Sequence, residues 1–235
     1  MTNKEKIGAK KESGTPAKEN FISKTIVFFN KYNKIVYGVV IGILLIVISL
    51  IAFNRFYLTP QTEKASMLIL KPIDKLLMGD SLSIQLALEG DDEMDGFLAI
   101  AKSYSLTKTA NTANYYAGLC YLKLNQPDEA LVYLKKYKHK EDALWFACQA
   151  VIGDIYDDMG DTKKAISYYE KSIDGNDDPY FTPANQFKLA QMYEREEQWQ
   201  KALDIYTLIE KDFYDQYQNM GLDRFADRVA AKLGK

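Results

Sequence analysis

One histidine and two cysteines are all the imidazole and thiol that 235 residues offer, which leaves almost no material for a zinc or other transition-metal site. His139 stands inside Lys135–Lys140 (KKYKHK) and reads as a solvated surface imidazole near a helix C-terminus. Carboxylates cluster twice, at Asp91-Asp92-Glu93 and across Asp174–Asp178. Either could hold a cation weakly, yet neither has the ligand spacing of a calcium loop closed by Glu, so both read as solvated loops. The chain has no phosphate-binding glycine loop, no G-x-S-x-G and no H-E-x-x-H. No catalytic residue, metal ligand, cofactor site or small-molecule substrate is expected. The sequence reads as a non-enzyme that works by contact.

What would position such a contact surface is set by a long apolar run. Ile35 to Phe53 (IVYGVVIGILLIVISLIAF) is 19 residues without a charge. As a helix it spans roughly 28 Å, close to the thickness of a bilayer's hydrocarbon core. It is longer than a cleaved signal's apolar region and ends without an A-x-A site, so it reads as a transmembrane signal anchor. Residues 1–34 carry a net charge of +5 and residues 59–235 one of −8. A basic tail on an acidic body is the reverse of a nucleic-acid binder. Lys24, Lys31 and Lys34 precede the run and only Arg55 closely follows it, which predicts a cytoplasmic N-terminus and an exported body in a single-pass inner-membrane protein. Residues 1–20 are polar and expected without structure; Phe21 to Tyr32 mixes apolar and basic residues and suits the membrane interface. Gly38 and Gly42 have a small-xxx-small spacing that permits close helix contact.

The body carries a ladder. Gly118, Tyr121, Ala130 and Leu134 recur as Gly153, Tyr156, Ala165 and Tyr169, and again as Ala190, Tyr193, Ala202 and Tyr206. The internal offsets are 3, 9 and 4 each time, and the alanines stand 35 and 37 residues apart, a two-helix period. The small residue lets the first helix approach the second. The tyrosine on the same face fills the space between them, and the alanine opens the contact from the second helix. Asn125-Gln126-Pro127 and Met159-Gly160-Asp161 read as the turns within two of these units; Glu196-Glu197-Gln198 stands in the third, a plain substitution for glycine.

The segments ANYYAGLCYLKLNQPDEALVYLKKY and AVIGDIYDDMGDTKKAISYYEKS resemble tetratricopeptide repeats, and the resemblance runs over about residues 111–214. Two departures are the missing tryptophan near the start of the first helix and Leu134 where an aromatic is common. The expected fold is therefore all-α: one N-terminal transmembrane helix followed by a tetratricopeptide-repeat α-solenoid. Its parts are a basic tail (1–34), the anchor (35–53), a linker (54–62), degenerate leading-repeat helices (63–107), three repeats (108–214) and a capping helix (215–235). In the leading part a helix over Glu63–Met78 should be interrupted near Pro72. Asp174–Pro183 should be a loop. In the cap Leu222, Phe225, Ala226, Val229 and Leu233 form one apolar stripe, with Arg224, Asp227, Arg228 and Lys232 facing away.

In the repeat frame the concave face lined by first helices holds Thr112, Tyr115, Leu119, Lys123, Asp154, Asp157, Asp158, Phe187, Gln191 and Glu194. Tyr115, Leu119 and Phe187 are the apolar anchors, and the carboxylates favour a basic or amphipathic ligand. The same frame puts Cys120 near the end of one first helix and Cys148 near the start of the next, too far apart for a disulfide. Two reduced, buried thiols are expected.

The whole layout, with GFLAIAKSY in the leading repeat, resembles the YfgM-like ancillary subunits of the SecYEG translocon in a form associated with the Bacteroidota. That resemblance implies a periplasm-facing adaptor whose partners are the translocon, a membrane-anchored chaperone of the prolyl-isomerase type and emerging exported chains. A cell-envelope assembly scaffold unconnected with the translocon is the other reading.

Overall fold

The computed structural model describes residues 16–140 and 142–235, with side chains from Tyr32 onward except Asn33. The described elements are all helical, and the chain divides into two units, Met1–Tyr57 and Leu58–Lys235. The first is one helix, α1 (Pro16–Phe53), with a single non-helical residue at Tyr32 (φ −115°, ψ 20°). Its side chains from Ile35 on are open to the surroundings, and none of its most apolar window is buried within the protein. The helix is long and apolar enough to cross a membrane. Residues 16–20, expected without structure, are helical. The rest of that tail lies outside the described residues, as do most of the side chains on which an interfacial reading of Phe21–Tyr32 depends.

The stretch 54–62, expected as a linker, is helical too: a π-helical turn (Asn54–Leu58) leads into α2 (Thr59–Leu68). Helix α3 (Leu70–Met78) follows after a break at Ile69. The break falls three residues before Pro72 because the proline ring displaces the carbonyl one turn earlier. Asp80 starts α4 (Ser81–Glu89) by accepting the Ser83 N–H at 2.9 Å, and α5 is Phe97–Ser103. The acidic loop between them is closed by an antiparallel bridge from Gly90 to Asp95. Ile69, Leu76, Ile84, Leu88, Phe97 and Ile100 form a core with Ala110, Ala113, Ala117 and Cys120 of the next helix.

Three helix pairs then repeat: α6 (Lys108–Lys123) with α7 (Pro127–Leu134), α8 (Ala143–Asp158) with α9 (Thr162–Ile173), and α10 (Phe181–Arg195) with α11 (Trp199–Asp212). The ladder is packed as its spacing requires. Ala130, Ala165 and Ala202 are wholly buried. A Cβ on Gly118 would lie 2.6 Å from Leu134 Cγ, and one on Gly153 2.9 Å from Tyr169 Cε1, so the small rung is what admits the large side chain sixteen positions on.

One turn joins every pair. Asn125, Gly160 and Glu197 all have positive φ (59°, 77° and 55°). The following N–H groups, of Gln126, Asp161 and Gln198, donate to the carbonyls of Tyr121, Tyr156 and Tyr193 at 2.8–2.9 Å. This six-to-one bond ends the first helix. Glu197 is thus no plain substitution: a residue with a Cβ occupies the left-handed position that glycine fills in the second repeat. Glu197→Gly should raise stability by about 0.5–1 kcal/mol, and Gly160→Ala should lower it by about 1 kcal/mol, read from urea melts.

The same turn appears once more. Gly221 has φ 60°, and Leu222 N–H donates to Tyr217 at 3.1 Å. The expected single capping helix is therefore a shortened fourth pair, α12 (Tyr214–Asn219) and α13 (Asp223–Lys232), with Tyr217 and Ala226 nine residues apart like Tyr121 and Ala130. Leu222 and Val229 are fully buried at its centre. The expected loop Asp174–Pro183 is also shorter. Asp178 accepts the N–H groups of Tyr180 and Phe181 at 3.0 and 2.7 Å, which starts α10 at Phe181 and leaves Pro183 in its first turn, where proline is tolerated.

Candidate functional site

The ten residues assigned to the concave face divide sharply by environment. On α6, Thr112, Tyr115 and Leu119 are half-buried and Lys123 is exposed in the last turn. Tyr115 sits edge-on to Tyr116, and burial pushes its hydroxyl up to about 12. On α8, Asp154 accepts both the Tyr169 hydroxyl and Lys188 Nζ at 2.6 Å. Asp157 is paired with Arg195, whereas Asp158 is open to solvent. On α10, Phe187 packs against Phe225 of α13 at 5.0 Å between ring centres, Gln191 is half-buried, and Glu194 receives the Tyr206 hydroxyl at 2.6 Å and Arg228 at 2.7 and 3.0 Å.

Three of the four carboxylates therefore already hold a cation from the next helix pair. The spacing gives the pairs away: Asp154–Lys188 and Glu194–Arg228 are each 34 residues apart, and Lys108–Asp142 is as well. One repeat further along the chain is one helix further along the stack, so a charge at one rung faces its opposite at the next. Lys188, Arg195 and Arg228 are the residues that sequence reasoning missed, and Asp157 and Arg195, 38 residues apart, depart from the spacing of the other pairs. Their pairing leaves Lys123 and Asp158 as the exposed charges of the face, beside half-buried Thr112, Tyr115, Leu119 and Gln191. Phe187 is already in contact with the cap.

The buried tyrosines share one device. Tyr137, Tyr169, Tyr193 and Tyr206 each donate the phenolic hydroxyl to a carboxylate, of Asp142, Asp154, Glu170 and Glu194. Burial first, and the carboxylate beside each hydroxyl second, raises all four well above the ordinary tyrosine value. A folded value above the unfolded one means stability fully present below about pH 10 and lost as pH rises beyond it, because the unfolded chain then releases protons the folded chain retains. The expected result is a flat stability profile to about pH 9.5. Above that, stability should fall steadily with pH, read from urea melts between about pH 9 and 11.5; a melting midpoint unchanged across that range would contradict it.

Cys120 and Cys148 are both free and buried, and burial pushes each thiol up to about 12. In the folded chain both should resist a thiol reagent at pH 8, then react stoichiometrically in denaturant. His139, expected on an open surface, is half-buried with its ring edge-on to Tyr137 at 6.4 Å. Among the described residues no three of His, Cys, Asp or Glu gather to hold a metal ion.

The tetratricopeptide repeat family models match residues 112–141 and 148–176, the first two helix pairs. No curated protein matches the sequence. Solved structures similar to this chain include nearly identical TPR-like repeats of a kinesin light chain from Podosopora anserina: 16% identity, covering 74% of this chain and 92% of that one, TM-score 0.45. A variant of the same protein with one glutamine changed to methionine has 15% identity, 76% and 93% coverage, and the same TM-score. Two matched segments, a third pair with the same rungs and turn, and a shortened fourth lead to one conclusion: the chain carries tetratricopeptide repeats.

Proposed function

We propose that this protein is a membrane-anchored adaptor that binds other proteins through its repeats, facing the periplasm as an ancillary subunit of the SecYEG translocon. The observation that carries the adaptor reading is the repeat stack itself, matched over residues 112–141 and 148–176 and continued by a third helix pair. The translocon reading is supported by the resemblance of the whole layout: basic tail, apolar helix, degenerate leading repeat, repeats and cap. A helix in the bilayer confines the repeats near their partners and raises their effective concentration, so weak contacts suffice. The partners would be the translocon, a prolyl-isomerase-type chaperone and the exported chains it receives.

Photocrosslinkers at Tyr115, Phe187 and Val40 report the repeat face and the apolar helix at once. Crosslinks to SecY and a chaperone, and their co-purification in mild detergent, are the expected result. Recovery of outer-membrane or cell-wall assembly proteins without SecY would turn the reading to an envelope scaffold. A reporter fused after Lys235 that proves cytosolic would end both.

A further inference from the structure

We propose that the Lys135–Lys140 loop is the centre of a second binding surface, which takes an acidic segment of a protein partner. The loop stands between two hollows of about 530 and 520 Å³. Lys136 and Lys138 line one, together with Lys102, Asn111, Asn114 and Tyr133. Lys135 and Lys140 line the other with Lys171, Trp145 and Phe146, where Asp174 is the one carboxylate among the described lining residues. Two of the cations are held by aromatic rings: Lys136 Nζ is 3.9 Å from the Tyr133 ring centre, and Lys171 Nζ is 4.4 Å from that of Tyr168.

The contrast with the concave face supplies the argument. There Lys188, Arg195 and Arg228 are each spent on a carboxylate. Around the loop Lys102, Lys136, Lys138, Lys140 and Lys171 form no ion pair among the described residues, although the body as a whole has an excess of acid. Like charges gathered this way repel, and low-dielectric walls focus their field into the hollows. An extended chain bearing Asp or Glu relieves that repulsion, and an aromatic residue among them can stack in the hollow lined by Trp145 and Phe146. The lysines divide between the two sides of the loop, Lys136 and Lys138 on one and Lys135 and Lys140 on the other. A peptide crossing it meets both sets, whereas a flat lipid surface meets only the crest. The surface is independent of the translocon reading.

The test uses the full chain in nanodiscs of phosphatidylcholine and a fluorescein-labelled dodecapeptide of Asp and Glu with a central Tyr, followed by anisotropy. Saturable binding is expected, with a change in Trp145 emission and a loss of about tenfold or more in affinity for K138E/K140E and between 50 and 300 mM salt. The matched reversal K201E/K211E on α11 should stay within about twofold. Should K138E/K140E lose its helical melt, K138Q/K140Q carries the comparison. Absence of saturable binding, or equal weakening by both reversals, overturns the proposal. So does sedimentation with phosphatidylglycerol vesicles that depends on Lys138 and Lys140 and is indifferent to the peptide, which would make this a lipid-binding surface instead.

Discussion

Gly96→Ala should cost the repeat body about 2–3 kcal/mol, a fall in Tm of roughly 4–10 °C. Its backbone (φ −78°, ψ 170°) suits any residue, and alanine would even reduce the entropy of the unfolded chain. Space decides against it. A Cβ there would lie 2.3 Å from Gly90 N and 2.6 Å from Leu88 O, and every atom it meets is backbone. No rotamer change can relieve such a clash. Relief requires α4 and α5 to move apart, which opens the core at Leu88, Phe97 and Ile100. Hydrogen exchange should therefore quicken in α4 and α5 before α8–α11. A Tm within 1 °C of the parent chain would contradict the packing described for this loop.

Tyr206→Ala should be more damaging still, at about 3–5 kcal/mol, because the ring is wholly buried between the last repeat and the cap. It touches Phe187 and Phe225 and donates to Glu194, which also holds Arg228. Tyr206→Phe keeps the ring and removes only the hydroxyl, for an expected cost of about 1 kcal/mol. Tyr206→Phe and Arg228→Ala act on the same carboxylate, so the double variant should depart from additivity by about 0.5 kcal/mol or more. In a stack where each pair rests on its neighbours, Tyr206→Ala should melt α10–α13 ahead of α6–α9. A single transition lowered uniformly across all helices would show that the array unfolds as one unit, and would rule out the local weakening argued here.

The rungs were legible because their cause is local. A small residue at 118 or 153 and a large one sixteen positions later belong to a helix pair joined by one short turn, so their meeting is almost guaranteed by the spacing. Asp161 was legible as the start of α9 for the same reason, since its carboxylate accepts the Lys164 N–H at 3.1 Å within one turn. Glu197 was misjudged because residue type alone does not report φ, and only comparison with the turns at Asn125 and Gly160 reveals the left-handed position. From sequence the cap reads as one helix because its first helix is cut to six residues, too few for a periodic pattern.

Composition and spacing were thus enough to establish the helical character of the described residues, an apolar helix able to cross a membrane, and a stack of repeats. Which of the carboxylates on α8 and α10 remain without a cation was a matter for the folded chain. That depends on the pitch between successive helix pairs, which brings Asp154 to Lys188 and Glu194 to Arg228. The placing of the Lys135–Lys140 loop between two hollows arises the same way. Short-range periodicity is written residue by residue, whereas the meeting of side chains 34 positions apart follows from how whole helices stack, and charge is sorted only at that level.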